Sequence, residues 1–260
     1  MVRGLDVFRR YFAGHADKFV LIGGTAATLA MEHAGVAFRA TKDLDIVLHI
    51  EALDAGFGEV FWKFVEEGRY EIREASSTGK PVFYRFQKPA DERFPVMLEL
   101  FSRAPDGIKL AAGSRLTPIP LDEAVASLSA ILLDDDYYAF IVAGRKETDG
   151  LPWVGEDRLI PLKASAWLDL TARHAKGEPV DAKSIRKHAN DVMRLSQLLA
   201  PDVRIPLAAR IGDDLSRFLG SLAAERSIDP KSLKLNNSVA EIVQRIAQAY
   251  ELTPPEIRRP

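Results

Sequence analysis

The chain has 260 residues, 47% of them hydrophobic and 28% charged, with a formal net charge of −2. That length supports one large domain or two modest ones, and the composition is ordinary for a globular protein. The balanced charge excludes a global basic field for nucleic acid, so a polyanionic partner needs a local patch or metal ions, and the lack of cysteine excludes disulfides and thiolate chemistry.

In chain order, Leu5 to Ala13 has apolar residues at helical spacing, and Lys18 to Ile22 reads as a buried strand. Gly23 and Gly24 open a turn, and Thr25 to Ala34, rich in alanine, predicts a helix. Asp43 to Ile50 is a second strand, and Leu53 to Glu67 an amphipathic helix whose Phe57, Phe61, Trp62 and Phe64 read as core. Shorter strands are expected at Tyr70 to Arg73, Val82 to Phe86 and Val96 to Phe101. A hairpin is expected over Leu128 to Ala143, with Asp134, Asp135 and Asp136 at its turn. After Gly150-Leu151-Pro152 the pattern becomes helical: Leu159 to Ala175, Ala182 to Leu199, Leu207 to Glu225 and Val239 to Tyr250. The expected fold class is α+β. An α/β domain with a mixed sheet and flanking helices spans residues 1–155, and a helical bundle spans residues 156–260. The opening stretch has charges throughout and no apolar signal region, and no run approaches the roughly 20 apolar residues of a bilayer span. A cytoplasmic protein with no membrane partner is therefore expected.

The chemistry-bearing residues start at the first glycines. A strand, Gly23-Gly24-Thr25 and a helix place free backbone N–H groups at one point, which attracts phosphate. Taken alone, the same residues describe a tight strand-to-helix turn. Asp43 and Asp45 are two residues apart on a strand and share a face, where their charges repel. A divalent cation relieves that repulsion, and Mg²⁺ prefers one or two carboxylates plus phosphate oxygens and water. The plainer alternatives are a turn-capping Asp43 and an Asp45 paired with Lys42 or Arg39. Glu99, alone in the apolar run Val96 to Phe101, is the candidate third carboxylate; an outward glutamate on an edge strand is its alternative.

These residues carry a resemblance. Leu21-Ile22-Gly23-Gly24-Thr25, then Arg39-Ala40-Thr41-Lys42-Asp43-Leu44-Asp45-Ile46, then Glu99 in a later strand, resembles the nucleotidyltransferase superfamily of the polymerase-β fold. The Arg-x-Thr-x-Asp-x-Asp form is similar in particular to the AbiEii/AbiGii-type toxin branch. The resemblance implies that Gly23, Gly24 and Thr25 grip a nucleoside triphosphate. It implies that Asp43 and Asp45 ligate Mg²⁺, and that Glu99 completes the metal site and helps activate the acceptor hydroxyl. In the helical half it implies that Lys163 and Asp191 line the nucleotide cleft, assisted by Lys187. A cation at position 163 needs a reason to stay among Leu162, Ala166, Leu168 and Leu170. Lys187 and Asp191 are four apart, so an ordinary surface ion pair is the alternative there.

The expectation is a Mg²⁺-dependent enzyme that transfers a nucleoside monophosphate from an NTP to an acceptor hydroxyl. By resemblance the acceptor would be RNA, for instance a tRNA 3′ end. The protein would then be a toxin with a cognate antitoxin partner, and Lys183, Arg186, Lys187 and Arg194 would contact the acceptor's phosphates. A small-molecule nucleotidyltransferase of the antibiotic-modifying kind shares every metal-site residue. A catalytically silent binding or regulatory module of the same fold is the non-enzyme alternative.

Overall fold

The computed structural model describes residues 2–74, 83–106, 116–119, 128–225 and 228–255. The chain divides into two units, Met1–Val154 and Gly155–Pro260.

The first unit begins with α1 (Leu5–Tyr11), a short 3₁₀ turn at Ala16–Lys18, β1 (Phe19–Ile22), α2 (Gly23–His33), β2 (Asp43–Leu48) and α3 (Ala55–Gly68). The expected strand from Lys18 thus starts one residue later, and the glycine pair is the first turn of α2 itself. The Asp54 side chain caps α3 by accepting from the Phe57 N–H. Then come β3 (Glu71–Glu74), β4 (Phe83–Gln87), β5 (Met97–Ser102), β6 (Leu116–Ile119), β7 (Leu128–Leu132), α4 (Asp135–Ala143), β8 (Arg145–Thr148) and β9 (Leu151–Val154). Val82, expected at the start of a strand, lies outside the described residues.

Two regions correct the sequence reading. The expected hairpin over Leu128 to Ala143 is a strand followed by a helix. Asp134 is not a turn tip: its side chain accepts from the Asp136 N–H and caps α4, whose first turn gains two further acids. Residues 145–154 form an unexpected hairpin, joined at Asp149 and Gly150, both with positive φ (50° and 75°). That Asp-Gly pair matches a two-residue hairpin turn.

Among the described residues nine strands form one mixed sheet, ordered β3-β4-β5-β2-β1-β9-β8, with β7 beside the end of β5 and β6 beside β7. β2 and β5 are parallel, β1 and β2 antiparallel. Alternation divides this sheet into two faces. Leu44, Ile46 and Leu48 on β2, Leu98 and Leu100 on β5, and Phe86 on β4 are all buried on one face. Phe61 of α3 meets Phe86 edge-on at 5.2 Å, and Phe8, Phe12, Phe19 and Phe64 interlock beside it. Each fully buried ring contributes about 1.5–3 kcal/mol, so this face carries much of the unit's stability. The opposite face carries Asp43, Asp45 and Glu99.

The second unit contains α5 (Glu156–Ala175), α6 (Ala182–Leu195), α7 (Ala209–Ala224) and α8 (Val239–Ala249), with 3₁₀ turns at Ser196–Leu198 and Pro230–Leu233. Ile211, Leu215, Phe218, Leu219 and Leu222 form the buried stripe of α7; Ile242, Val243, Ile246 and Ala247 form that of α8. Asp181 caps α6 by accepting from the Lys183 N–H. No described helix is long and apolar enough to cross a membrane.

Pro161, expected near a helix start, lies inside α5. A proline has no N–H, so the carbonyl four residues earlier, that of Asp157, loses its helical donor. The Tyr250 hydroxyl, almost fully buried, donates to that carbonyl at 2.8 Å. Tyr250→Phe should therefore cost about 1–2 kcal/mol in urea unfolding. Pro161→Ala restores the helical donor and should shrink that penalty in the double variant. Equal losses in both backgrounds would show that the hydroxyl does not serve this carbonyl.

Candidate active site

The geometry starts from β2. Asp43 and Asp45 alternate with the buried Leu44 and Ile46, so both acids emerge on one face and are only partly buried. Antiparallel pairing sets Ile22, the last residue of β1, opposite Asp45. The next residue, Gly23, has φ +65° and begins α2. A Cβ built there would lie 1.7 Å from Asp45 Oδ2. The carboxylate thus rests directly on the Gly23 backbone, at the positive end of the α2 dipole. A Cβ on Gly24 would lie 2.6 Å from Thr41 Oγ1 and 3.6 Å from Arg39 Nη2. The Thr25 hydroxyl, fully buried, donates to the Asp43 carbonyl at 2.8 Å. Thr25 therefore ties the helix to the strand, and the two glycines admit Asp45 and Thr41. The alternating residues Arg39, Thr41, Asp43 and Asp45 gather around the first turn of α2.

Glu99 joins this face through sheet register. It pairs with Asp45 across the parallel β2–β5 ladder, so the two side chains project from the same side. Adjacent strands are about 5 Å apart, where two like charges repel by about 3 kcal/mol at an effective dielectric near ~20. Sequence reasoning missed the group that answers this repulsion. Arg85 on β4 is the antiparallel partner of Glu99. Its Nε donates to Glu99 Oε1 at 2.6 Å, and its Nη2 reaches the same oxygen. The Arg85 and Glu99 side chains are 27% and 13% exposed. The available signal was a lone arginine between Tyr84 and Phe86 in a β run, but its partner depends on a register that the sequence does not display. Among the described residues, no group of three or more His, Asp or Glu is arranged to hold a metal. The face thus presents two aspartates on one strand and a third acid engaged by arginine.

In the helical unit, Lys163 on α5 and Asp191 on α6, which the resemblance assigned to a nucleotide cleft, are paired with each other, with Nζ 3.1 Å from Oδ2. They are 5% and 0% exposed, so the lysine stays in its apolar setting because a carboxylate compensates its charge. Lys187, one turn before Asp191, is exposed on α6 with Lys183 and Arg186.

Two outcomes test these contacts. Gly35 has φ +71° and open space around it, so Gly35→Ala reports the left-handed backbone penalty alone, about 1–2 kcal/mol. Gly23→Ala should exceed it by a further ~1 kcal/mol or more in thermal or urea melts, and Asp45→Ala should relieve the excess. Identical losses at both glycines would contradict the Asp45 contact. In the helical unit, Lys163→Met alone should cost about 3–5 kcal/mol by removing the buried cation beside Asp191, and adding Asp191→Leu should recover most of the loss. A mild single-variant effect would mean that the pair does not carry buried charge.

No protein-family model matches the chain, and no curated protein matches it. Among solved structures, an antigenic nucleotidyltransferase-like protein from Paracoccidioides brasiliensis is similar over 93% of this chain and 97% of that one, at 14% identity and a TM-score of 0.41.

Proposed function

We propose that this protein is a nucleotidyltransferase that transfers a nucleoside monophosphate from an NTP to an acceptor hydroxyl. The acceptor oxygen bonds to the α-phosphorus, the bond to the bridging oxygen breaks, pyrophosphate leaves, and the hydroxyl proton passes to a base. The observation that supports this reading is the placement of Asp45 on the Gly23 turn, with Asp43 on the same strand face and Glu99 in register beside it.

The donor set fits Mg²⁺: Asp43 and Asp45 are hard oxygen donors on one accessible face, and they would hold the ion. When bound, Mg²⁺ supplies charge neutralisation for phosphate oxygens. The remaining work belongs to the chain's own residues. The first turn of α2 carries backbone N–H groups that suit an anion, beside the Asp45 carboxylate that already rests on Gly23. Thr25 fixes that turn on β2 through the Asp43 carbonyl, a positioning role. Glu99 would take the acceptor's proton or complete a second metal site. We assign Lys163 and Asp191 to holding α5 on α6, since their charges already compensate each other.

The finer reading follows from the Arg39-to-Asp45 segment and the basic side of α6. Lys183, Arg186 and Lys187 are exposed on that helix and suit a phosphate backbone, so RNA is the proposed acceptor. A toxin role with a cognate antitoxin is proposed from the segment's resemblance alone. One observation favours a second reading: Glu99 is held by Arg85, which suits a nucleotide-binding module without turnover.

Incubation with each α-labelled NTP, Mg²⁺ and total RNA separates these readings. Label on RNA with the unmodified protein, absent with Asp45→Ala, is the expected result. Label on a small molecule only would mean the antibiotic-modifying alternative. No label, with a retained Mg-NTP-induced rise in melting temperature, would mean the silent module. Asp43→Asn and Asp45→Asn should abolish that rise without unfolding the protein; an unchanged rise would overturn the proposed site.

A further inference from the structure

We propose that Arg85 holds Glu99 away from Asp43 and Asp45 on their shared face, as an internal counter-ion that competes with a bound divalent cation. This rests on the site proposed above and adds to it the residue that sets its cation affinity.

Asp43, Asp45 and Glu99 project from one face of two neighbouring strands. Fully ionised, they place three negative charges together, and the guanidinium of Arg85 engages Glu99. Register makes the contact specific. Arg85 faces Glu99 across β4–β5, and Glu99 faces Asp45 across β2–β5, so Arg85, Glu99 and Asp45 form a row across three strands. Glu99 can turn along that row toward Arg85 or toward the aspartates.

Geometry shows the first state. Two guanidinium nitrogens converge on one oxygen of Glu99, Oε1, and the described residues contain no group of three acids arranged around a cation position. The contact is also exchangeable. Both side chains retain some exposure, at 27% and 13%, so breaking it does not strand a charge in a dry interior. A dication held by Asp43 and Asp45 repels the guanidinium and attracts Glu99, and both effects oppose the Arg85–Glu99 contact. By linkage, any group that stabilises the cation-free state lowers the apparent affinity for the cation.

The test uses the full chain, Mn²⁺ as the probe, and free Mn²⁺ measured by electron paramagnetic resonance during titration. Arg85→Gln should bind Mn²⁺ about three- to tenfold more tightly than the unmodified protein while melting at a lower temperature without metal. Adding Glu99→Gln to Arg85→Gln should remove the gain, because the released carboxylate is its source. Arg85→Lys keeps the charge with fewer contacts, so its affinity should fall between the two. It also serves as the measurement if Arg85→Gln does not fold. A lower melting temperature with unchanged Mn²⁺ affinity would make Arg85 a structural strap and overturn the proposal. Weaker Mn²⁺ binding by Arg85→Gln would overturn it too, since Arg85 would then be orienting Glu99 for the metal. Equal Mn²⁺ binding by Asp45→Asn and the unmodified protein would defeat the underlying site instead.

Discussion

The contact between the Asp45 carboxylate and the backbone of Gly23 is the constraint on which the candidate site depends. A carboxylate can lie there because residue 23 has no Cβ and tolerates a left-handed φ. That single requirement accounts for several features at once. It explains a glycine directly after β1, a strand register that brings Ile22 opposite Asp45, and a helix whose positive end meets a negative charge. Thr25 then fixes the spacing by donating to the carbonyl of Asp43. Gly23 therefore serves an internal anion first. Any phosphate bound at this turn would share the helix terminus with Asp45, which is the electrostatic reason for a cation to accompany it.

The sheet separates this chemistry from the energetics of folding. Odd positions of β2 carry the acids and even positions the core, and β5 repeats the division with Glu99 between Leu98 and Leu100. The aromatic cluster of α1, α3 and β4 packs on the even side, so the acids contribute little burial. Parallel pairing of β2 and β5 requires a long connection. Here α3, β3 and β4 fill it, and β4 delivers Arg85 to the neighbour of the strand that carries Glu99.

Much of this was legible in the sequence, because alternation within a strand is a local property. Asp43 and Asp45 on one face, the helix after Gly23-Gly24 and the helices α7 and α8 all follow from spacing within a few residues. What failed had either a partner far along the chain or a weak local signal. Arg85 is unremarkable until register sets it beside Glu99. The β8–β9 hairpin was hidden by an entirely exposed first strand and a proline in the second, both poor strand signals. Asp134 to Asp136 suited either a turn or a helix start. The buried apolar residues Tyr137, Tyr138, Phe140 and Ile141 favour the helix.

The two cross-element ion pairs show how burial sorts structure from exchange. Lys163 and Asp191 are 5% and 0% exposed, so opening that pair would leave a dehydrated charge on each side. Their interaction is worth keeping in every state of the helical unit. Arg85 and Glu99 also pair a cation with a carboxylate but retain some exposure on a sheet face, where another cation can take the place of the guanidinium. The cost of opening is correspondingly lower. A pair that must never open and a pair that can open differ here in hydration rather than in residue type. That difference is why the arginine on the sheet face, and not the lysine between the helices, is suited to regulate occupancy of the acidic site.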